Sequence, residues 1–366
     1  MPSTLAKNQT RVRFQNMGNT KANKTVGTTE ALAKHLGLSR WTISRALNGH
    51  KDINPETAKK VQDACAELGF QPNRMAIALR GGKSGLIGIC FDELDSPVLS
   101  AKVSALQNKL RKQNYHGIIE ITNGDNKLRT KVVNHLISMH IEGIIFIASK
   151  MAEDHPCFTM LEKQGIPIIL VDPLHRVEKF PTVCLDRSCS IELSIQHLME
   201  QNVKTIAFIG IDPDDDGYGT QRWQYIDALF TKYNIPKENI SLYFEHKPHS
   251  TNHNPEYGKS LTERLIKDNN LPDAIIALND RVAMGCVHTL RKAGISVPKD
   301  ILLIGHDNLE ASELFYPPLT TVEQKPEEMM EVACQILVQV IEGKKINSPR
   351  LIEPALIKRR SSIRVN

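Results

Sequence analysis

Thr28-Thr29-Glu30-Ala31-Leu32-Ala33-Lys34-His35-Leu36-Gly37-Leu38-Ser39-Arg40-Trp41-Thr42-Ile43-Ser44-Arg45-Ala46-Leu47-Asn48-Gly49 reads as helix, glycine turn, helix. Thr28 and Ser39 stand where helix caps belong, because each hydroxyl can accept from an amide left unpaired in the first turn. Asn48-Gly49 supplies the left-handed residue that ends the second helix. Within that helix Ile43, Ala46 and Leu47 fall at i, i+3 and i+4 and face inward, which leaves Arg40, Trp41, Ser44 and Arg45 on the opposite face. The spacing is that of a helix-turn-helix, whose second helix reads a DNA major groove. An arginine there can bond guanine O6 and N7 as a fork, and Ser44 suits a phosphate. Trp41 either offers an apolar edge to a thymine methyl or packs against the neighbouring helix. Thr28, Ser39, Thr42 and Asn48 complete the candidate DNA contacts of this segment.

A third helix opens at Asn54-Pro55-Glu56, with Asn54 as cap and Pro55 at the first helical position, and closes at Gly69. Its inward stripe is Val61, Ala64, Cys65 and Leu68. Phe70 to Gly82 then offers about two turns of helix, too short to be stable alone in water. Met75, Ile77 and Leu79 have little partner surface in such a linker, so they pack on a dimer mate or wedge into a minor groove.

Charge follows the same division. Residues 1–83 hold 14 Lys and Arg against 5 Asp and Glu, net +9, while the remaining 283 carry 32 against 36, net −4. A basic end coinciding with a helix-turn-helix is the footprint of phosphate binding. Residues 1–27 carry five basic residues, no acid and almost no apolar periodicity, and read as a disordered tail. No stretch resembles a signal peptide or is long enough to span a membrane, which points to the cytoplasm. The seven cysteines are scattered and form no CxxC pair, as expected of reduced thiols.

From residue 85 short apolar runs alternate with amphipathic helices, the mark of a doubly wound parallel sheet. Gly85 to Asp92 is echoed by Lys204 to Asp212, Glu142 to Ser149 by Pro272 to Asp280, and Ile166 to Asp172 by Asp300 to Asp307. Three strands recurring in one order imply two similar lobes, with an N-lobe of about 85–184 and 320–350 and a C-lobe of about 185–319 and 351–366. Ligands of such sheets sit at the carboxyl ends of the strands. The polar residues there are Asp92, Ser96, Ser149, Asp172, Asp186, Asn279, Asp280, Asp307 and Asn308, any one of which could instead be a cap or turn residue.

These motifs together resemble the LacI/GalR (lactose-repressor/galactose-repressor) family of bacterial transcription regulators over residues 28–366. The carrying stretches are Leu38-Ser39 with Ile43 to Asn48, Leu68 to Arg74, Ala78-Leu79-Arg80, Ala277 to Gly285, Ile304 to Asn308 and Pro317 to Gln324. The resemblance implies a small all-α helix-turn-helix domain at 28–69, a hinge helix and linker at 70–84, and an α/β bilobal periplasmic-binding-protein-like domain of two doubly wound parallel sheets at 85–366. It implies further DNA contacts at Asn73, Arg74, Ala76 and Leu79, the leucine inserting between base pairs. Ile77 departs from the polar residue usual two places before that leucine. Asn279 and Asp307 are implied to bond an effector, with Gln324 lining the cleft. Where the family carries an effector-gripping arginine, Gln221 stands here, with Arg222 one place on. Acidic and amide side chains suit vicinal hydroxyls, so a sugar is the first expectation for the ligand and a nucleoside the second.

The function expected is that of a sequence-specific regulator, a repressor, controlled by a small molecule and binding a near-palindromic operator as a homodimer, with a tetramer less favoured. Ala101, Val103, Leu106 and Leu110 are candidates for the dimer face or for sheet-facing core. Alternatives are a regulator answering to a partner protein or to no effector, and a solute-binding transport component. No enzyme motif is present, and neither cofactor nor metal is expected. The D-x-D-x-D-G run from Asp212 to Gly217 lacks a bidentate Glu at its twelfth position, where Trp223 stands, and reads as a turn. His246, His249 and His253 lack the fixed spacing of a metal site.

Overall fold

Two left-handed glycines delimit the first helices. The structure, a computed structural model, describes residues 27–47, 52–71, 83–94, 96–175, 177–213, 218–245 and 254–364, with the backbone alone at 218–221. Residues 1–26, Asn48, Asn73, Arg74, Ala76, Leu79, the side chain of Gln221, the 214–217 loop and His246, His249 and His253 lie outside the described residues. The chain divides into two compact units, residues 1–81 and 82–366.

In the first unit, α1 (Thr29–Leu36) begins where Ala31 N–H donates to Thr28 Oγ1 at 3.1 Å and ends at Gly37, φ 65°. Helix α2 (Arg40–Leu47) begins where Thr42 N–H donates to Ser39 Oγ at 3.0 Å. Helix α3 (Pro55–Leu68) is capped by Asn54 and ends at Gly69, φ 62°. Leu32, Ile43 and Val61, one from each helix, are fully buried against one another, with Ala33, Ala46, Ala64 and Phe70 around them.

Parallel order governs the second unit. Its first sheet comprises β1 (Leu86–Phe91), β2 (His116–Ile121), β3 (Gly143–Ile147), β4 (Ile168–Val171), β5 (Thr182–Leu185) and β11 (Arg350–Ile352), in the order β11-β5-β4-β3-β1-β2. The second comprises β6 (Ile206–Ile209), β7 (Ile240–Tyr243), β8 (Ala274–Ala277), β9 (Leu302–His306), β10 (Thr320–Glu323) and β12 (Ala355–Ile357), in the order β12-β10-β9-β8-β6-β7. The two orders are topologically the same, and only β12 runs antiparallel to its neighbour. Strands buried on both faces need helices on both faces. On the first sheet one side is covered by α4 (Pro97–Lys112) and α12 (Pro326–Ile341), the other by α5 (Asn126–Ser138) and α6 (Pro156–Lys163). The second sheet is covered by α7 (Arg187–Glu200), α8 (Tyr218–Lys232), α9 (Pro255–Lys267) and α10 (Asp280–Lys292), with the short α11 (Glu310–Leu314) before β10.

Two expectations are corrected. Thr320–Glu323 was expected in the N-lobe, but it pairs in parallel with β9 as the fifth strand of the second sheet, with Thr320 and Thr321 fully buried. Strand β11 likewise stays with the first sheet, on β5. The chain therefore passes between lobes near Asp186, at Gln324-Lys325, and at Glu353-Pro354, rather than near 184, 319 and 351. Leu106 and Leu110, weighed for the dimer face, are fully buried core of the first lobe, and Val103 is buried with them.

Candidate nucleic-acid face and ligand cleft

On α2 the polar face is the one left open. Trp41 is 62% exposed, which removes the reading that it packs on a neighbouring helix. Its ring lies under the Arg45 guanidinium, 4.7 Å from the centroid, one helical turn away. Arg45 also donates to Asp52 at 2.6 Å, so its fork is held rather than free. Arg40 is exposed and pairs with Glu30 at 3.6 Å, an interaction weak in water. Ser44 is half-buried, and Thr42 and Ser39 exchange a hydroxyl hydrogen bond at 2.8 Å. The tie from Arg45 to Trp41 and Asp52 was not read from the sequence, although the i, i+4 spacing of Trp41 and Arg45 carried half of it.

In the second unit a buried polar chain crosses from lobe to lobe at the strand ends. Lys102, from the middle of α4, donates to Asp172 Oδ2 at 2.6 Å and to Gln324 Oε1 at 2.9 Å. Gln324, at the second crossing, donates to Asp307 Oδ1 at 2.6 Å, and the His306 Nδ1 lies 3.1 Å from the same oxygen. Asp172 also accepts from Leu185 N–H at 2.9 Å and meets Arg187 at 3.2 Å. Burial alone would raise the Asp172 pKa, but Lys102 and Arg187 override it and hold the carboxyl at about 2. For Asp307 burial is likewise outweighed, by His306 and Arg222, and the pKa is lowered. His306 is pushed down to about 4, first by burial and then by Arg222 and Arg187, against the upward pull of Asp307. It is a neutral imidazole at pH 7. Backbone strain marks the same place: Ala148, Asp172 and Asp307 hold φ of 50°, 45° and 115°, where non-glycine residues are uncommon.

Against the remaining sequence candidates the placements differ. Asn279 Oδ1 accepts from Val282 N–H at 2.8 Å as the cap of α10, and Asp186 caps α7. Asp280 accepts from Ser312, Thr321 and the Leu309 amide, and burial with the nearby Asp307 charge pushes it up to about 7. Asp92 is engaged by Arg129 at 2.5 Å, Thr122 at 2.6 Å and the Lys150 amide, all within the first lobe. Ser96 is half-buried at the start of α4, and Ser149 is buried with its hydroxyl toward Ile147 O at 3.3 Å. Asn308 binds Arg359 and Glu323.

A small, partly open pocket lies against the second sheet beneath α7. Its polar lining is Arg187, Ser190, Ser194, Arg222 and His306, over apolar walls that include Phe208 and Ile276. Arg222, whose Nη1 donates to Leu278 O at 2.8 Å, thus reaches the pocket that the displaced register of Gln221 and Arg222 left open. Lys102, Arg187 and His306 were missed. Lys102 was legible, since it sits at i+3 from Leu99 and i−4 from Leu106 on the buried stripe of α4. Arg187 and His306 carried no local signal. Among the described residues no cluster of metal-ligating side chains occurs.

A helix-turn-helix with an open recognition face, joined to a bilobal α/β domain with a polar cleft, defines a DNA-binding regulator of the ligand-sensing kind. The description "Bacterial regulatory proteins, lacI family" matches residues 30–73, and "Periplasmic binding protein-like domain" matches residues 195–362. Catabolite control protein A of Staphylococcus epidermidis is 25% identical over 331 residues, 90% of this chain and 97% of that protein. The HTH-type transcriptional repressor PurR of Actinobacillus pleuropneumoniae is 27% identical over 348 residues, 93% of this chain and 100% of that protein. The crystal structure of the lac repressor dimer bound to operator and the anti-inducer ONPF superposes with a TM-score of 0.78 at 22% identity, over 92% of this chain and 99% of that one. The chain belongs to the LacI family of bacterial transcriptional regulators.

Proposed function

We propose that this regulator is a cytoplasmic repressor that binds a near-palindromic operator as a homodimer and is controlled by a small molecule seated between the lobes. The observation that carries the reading is the buried chain Asp172–Lys102–Gln324–Asp307, which ties strand ends of both lobes across the cleft. A ligand entering there competes for those groups, and any difference in its affinity for the two lobe arrangements shifts their equilibrium. Three crossings near residues 186, 324 and 353 let the lobes rotate about a common hinge, and the paired segments at 70–84 carry that rotation to the operator. Arg40, Trp41, Ser44 and Arg45 read bases and phosphates, with Leu79 wedging the minor groove. The dimer reading is supported by Ile119 and Ile121 on the open edge strand β2 and by Leu314 and Tyr316, 81% and 85% exposed. Among the described residues no helix is long and apolar enough to cross a membrane.

The test is operator binding by the full chain, followed by fluorescence anisotropy, across a panel of sugars, sugar derivatives and nucleosides, with thermal shift in parallel. A compound that raises the melting temperature and changes operator affinity supports the reading. A regulator whose operator affinity answers only to a protein partner would replace it.

A further inference from the structure

We propose that residues 1–27 serve as a DNA-backbone arm, adding phosphate contacts beside the base-reading end of α2 that the helix-turn-helix does not itself make. The proposal rests on DNA binding alone and is independent of the small-molecule reading above. The lacI-family match begins at residue 30, so these residues lie outside what the family resemblance accounts for. Their cations are Lys7, Arg11, Arg13, Lys21 and Lys24, and they hold no Asp or Glu. Residues 28–83 hold 9 Lys and Arg against 5 Asp and Glu, net +4, so residues 1–27 supply +5 of the +9 carried by residues 1–83. A run of charge is by itself most often a solvated surface. The place where this one joins the folded unit decides otherwise.

The junction lies at the end of the unit that meets DNA. In a helix-turn-helix the N-terminal residues of the second helix contact base edges while the first helix crosses the phosphate backbone. Arg40, the first residue of α2, sits 3.6 Å from Glu30 in the first turn of α1, so the two helices begin side by side. Thr28, whose hydroxyl caps α1, is exposed in extended backbone at φ −138° and ψ 151°, and a Cβ added at Gly27 would meet nothing within 4 Å. The chain therefore enters α1 through open space, next to the groove-facing start of α2. Both groove arginines already face an acid, Arg40 facing Glu30 and Arg45 facing Asp52 at 2.6 Å, which lessens what they offer a phosphate. The five upstream cations have no acid among them. A chain of this length spans about 90 Å at full stretch, more than two turns of duplex, and B-DNA presents a phosphate charge every ~1.7 Å of its axis. The cations thus reach the backbone flanking the segment that α2 reads, and each phosphate they neutralise releases counterions.

The experiment measures binding of the full chain to a mixed-sequence duplex of about three helical turns, by fluorescence anisotropy between about 50 and 200 mM KCl. Phosphate contacts are independent of sequence, so no operator is needed. The parent is compared with a variant carrying Lys7→Gln, Arg11→Gln, Arg13→Gln, Lys21→Gln and Lys24→Gln together. The expected result is a log–log salt slope shallower by about 4 per bound chain, and an affinity weaker by about tenfold or more at the lower salt, with the melting temperature unchanged. Exchanging Lys for Arg and Arg for Lys at the same five positions keeps the charge and should keep the parent's slope. Equal slopes for the parent and the Gln variant overturn the proposal. A Gln variant that melts lower or fails to fold places those side chains in the folded unit and overturns it as well. An unchanged duplex slope with lost binding to phosphatidylserine–phosphatidylcholine vesicles assigns the cations to a membrane surface instead. A parent that binds no duplex at any salt would overturn the DNA-binding reading itself, an outcome distinct from failure of the arm alone.

Discussion

Trp41 is a side chain proposed above for recognition and one that the fold hardly needs. Being mostly exposed, it contributes little to stability, so Trp41→Ala is expected to change the melting free energy by less than about 0.5 kcal/mol while weakening specific operator binding. Calorimetry and anisotropy on the same sample check both halves. Lys102 is the opposite case. Its ammonium is almost wholly buried between Asp172 and Gln324, and Lys102→Met leaves Asp172 with Arg187 but cuts the link between lobes. Removing one member of a buried ion pair costs about 3 kcal/mol or more, readable by urea denaturation. His306 governs a pH window. Its folded pKa of about 4 lies below the ordinary 6.5, so the unfolded chain takes up a proton first as pH falls. The stability it contributes is full above pH 6.5 and is lost as pH falls towards 4. His155 and His197 are lowered too, by burial first, and share the slope. The melting temperature of His306→Asn should therefore fall less steeply between pH 6.5 and 4 than that of the parent, and equal slopes would exclude the assignment.

Among the elements, α9 and α10 approach most closely. A Cβ added at Gly285 would lie 2.1 Å from Pro255 O and 2.7 Å from Lys259 N, and one at Gly258 would lie 2.1 Å from Val282 O. Backbone meets backbone there, and no side chain can yield. Gly285→Ala must push the helices apart and is expected to destabilise the chain by about 3 kcal/mol, despite alanine's better helix propensity. A stable, unshifted variant would refute that packing. At this scale the sequence was largely readable. Helix caps at Thr28, Ser39 and Asn54 lie where hydroxyl and amide side chains preceded apolar stripes. The three echoed apolar runs correspond to β1 and β6, β3 and β8, and β4 and β9. Lobe membership after residue 319 was not readable, because Thr320–Glu323 carries the same short apolar-polar pattern whichever sheet receives it. Its pairing with β9 is a long-range choice.

For the whole molecule, the exposed apolar residues Leu314 and Tyr316 on the second lobe and Ile119 and Ile121 on an open edge strand are the surface proposed above for a second copy. Tyr316→Asp places a charge in that face, and a shift from dimer to monomer in sedimentation, with loss of operator affinity at low protein concentration, is expected. An unchanged dimer would put the interface elsewhere. By itself the sequence determined the recognition helix, the two-lobed α/β architecture and the family, because capping, 3.6-residue periodicity and repeated apolar runs are local and each is written in consecutive residues. Only the tertiary structure decided that Leu106 and Leu110 are core, that Trp41 is open, and that Asp307 and Gln324 are joined through Lys102 to Asp172. The members of that chain are separated by up to 222 residues along the sequence, and which polar groups meet in a buried cleft is fixed by the packing of two sheets, not by any pattern one segment can carry.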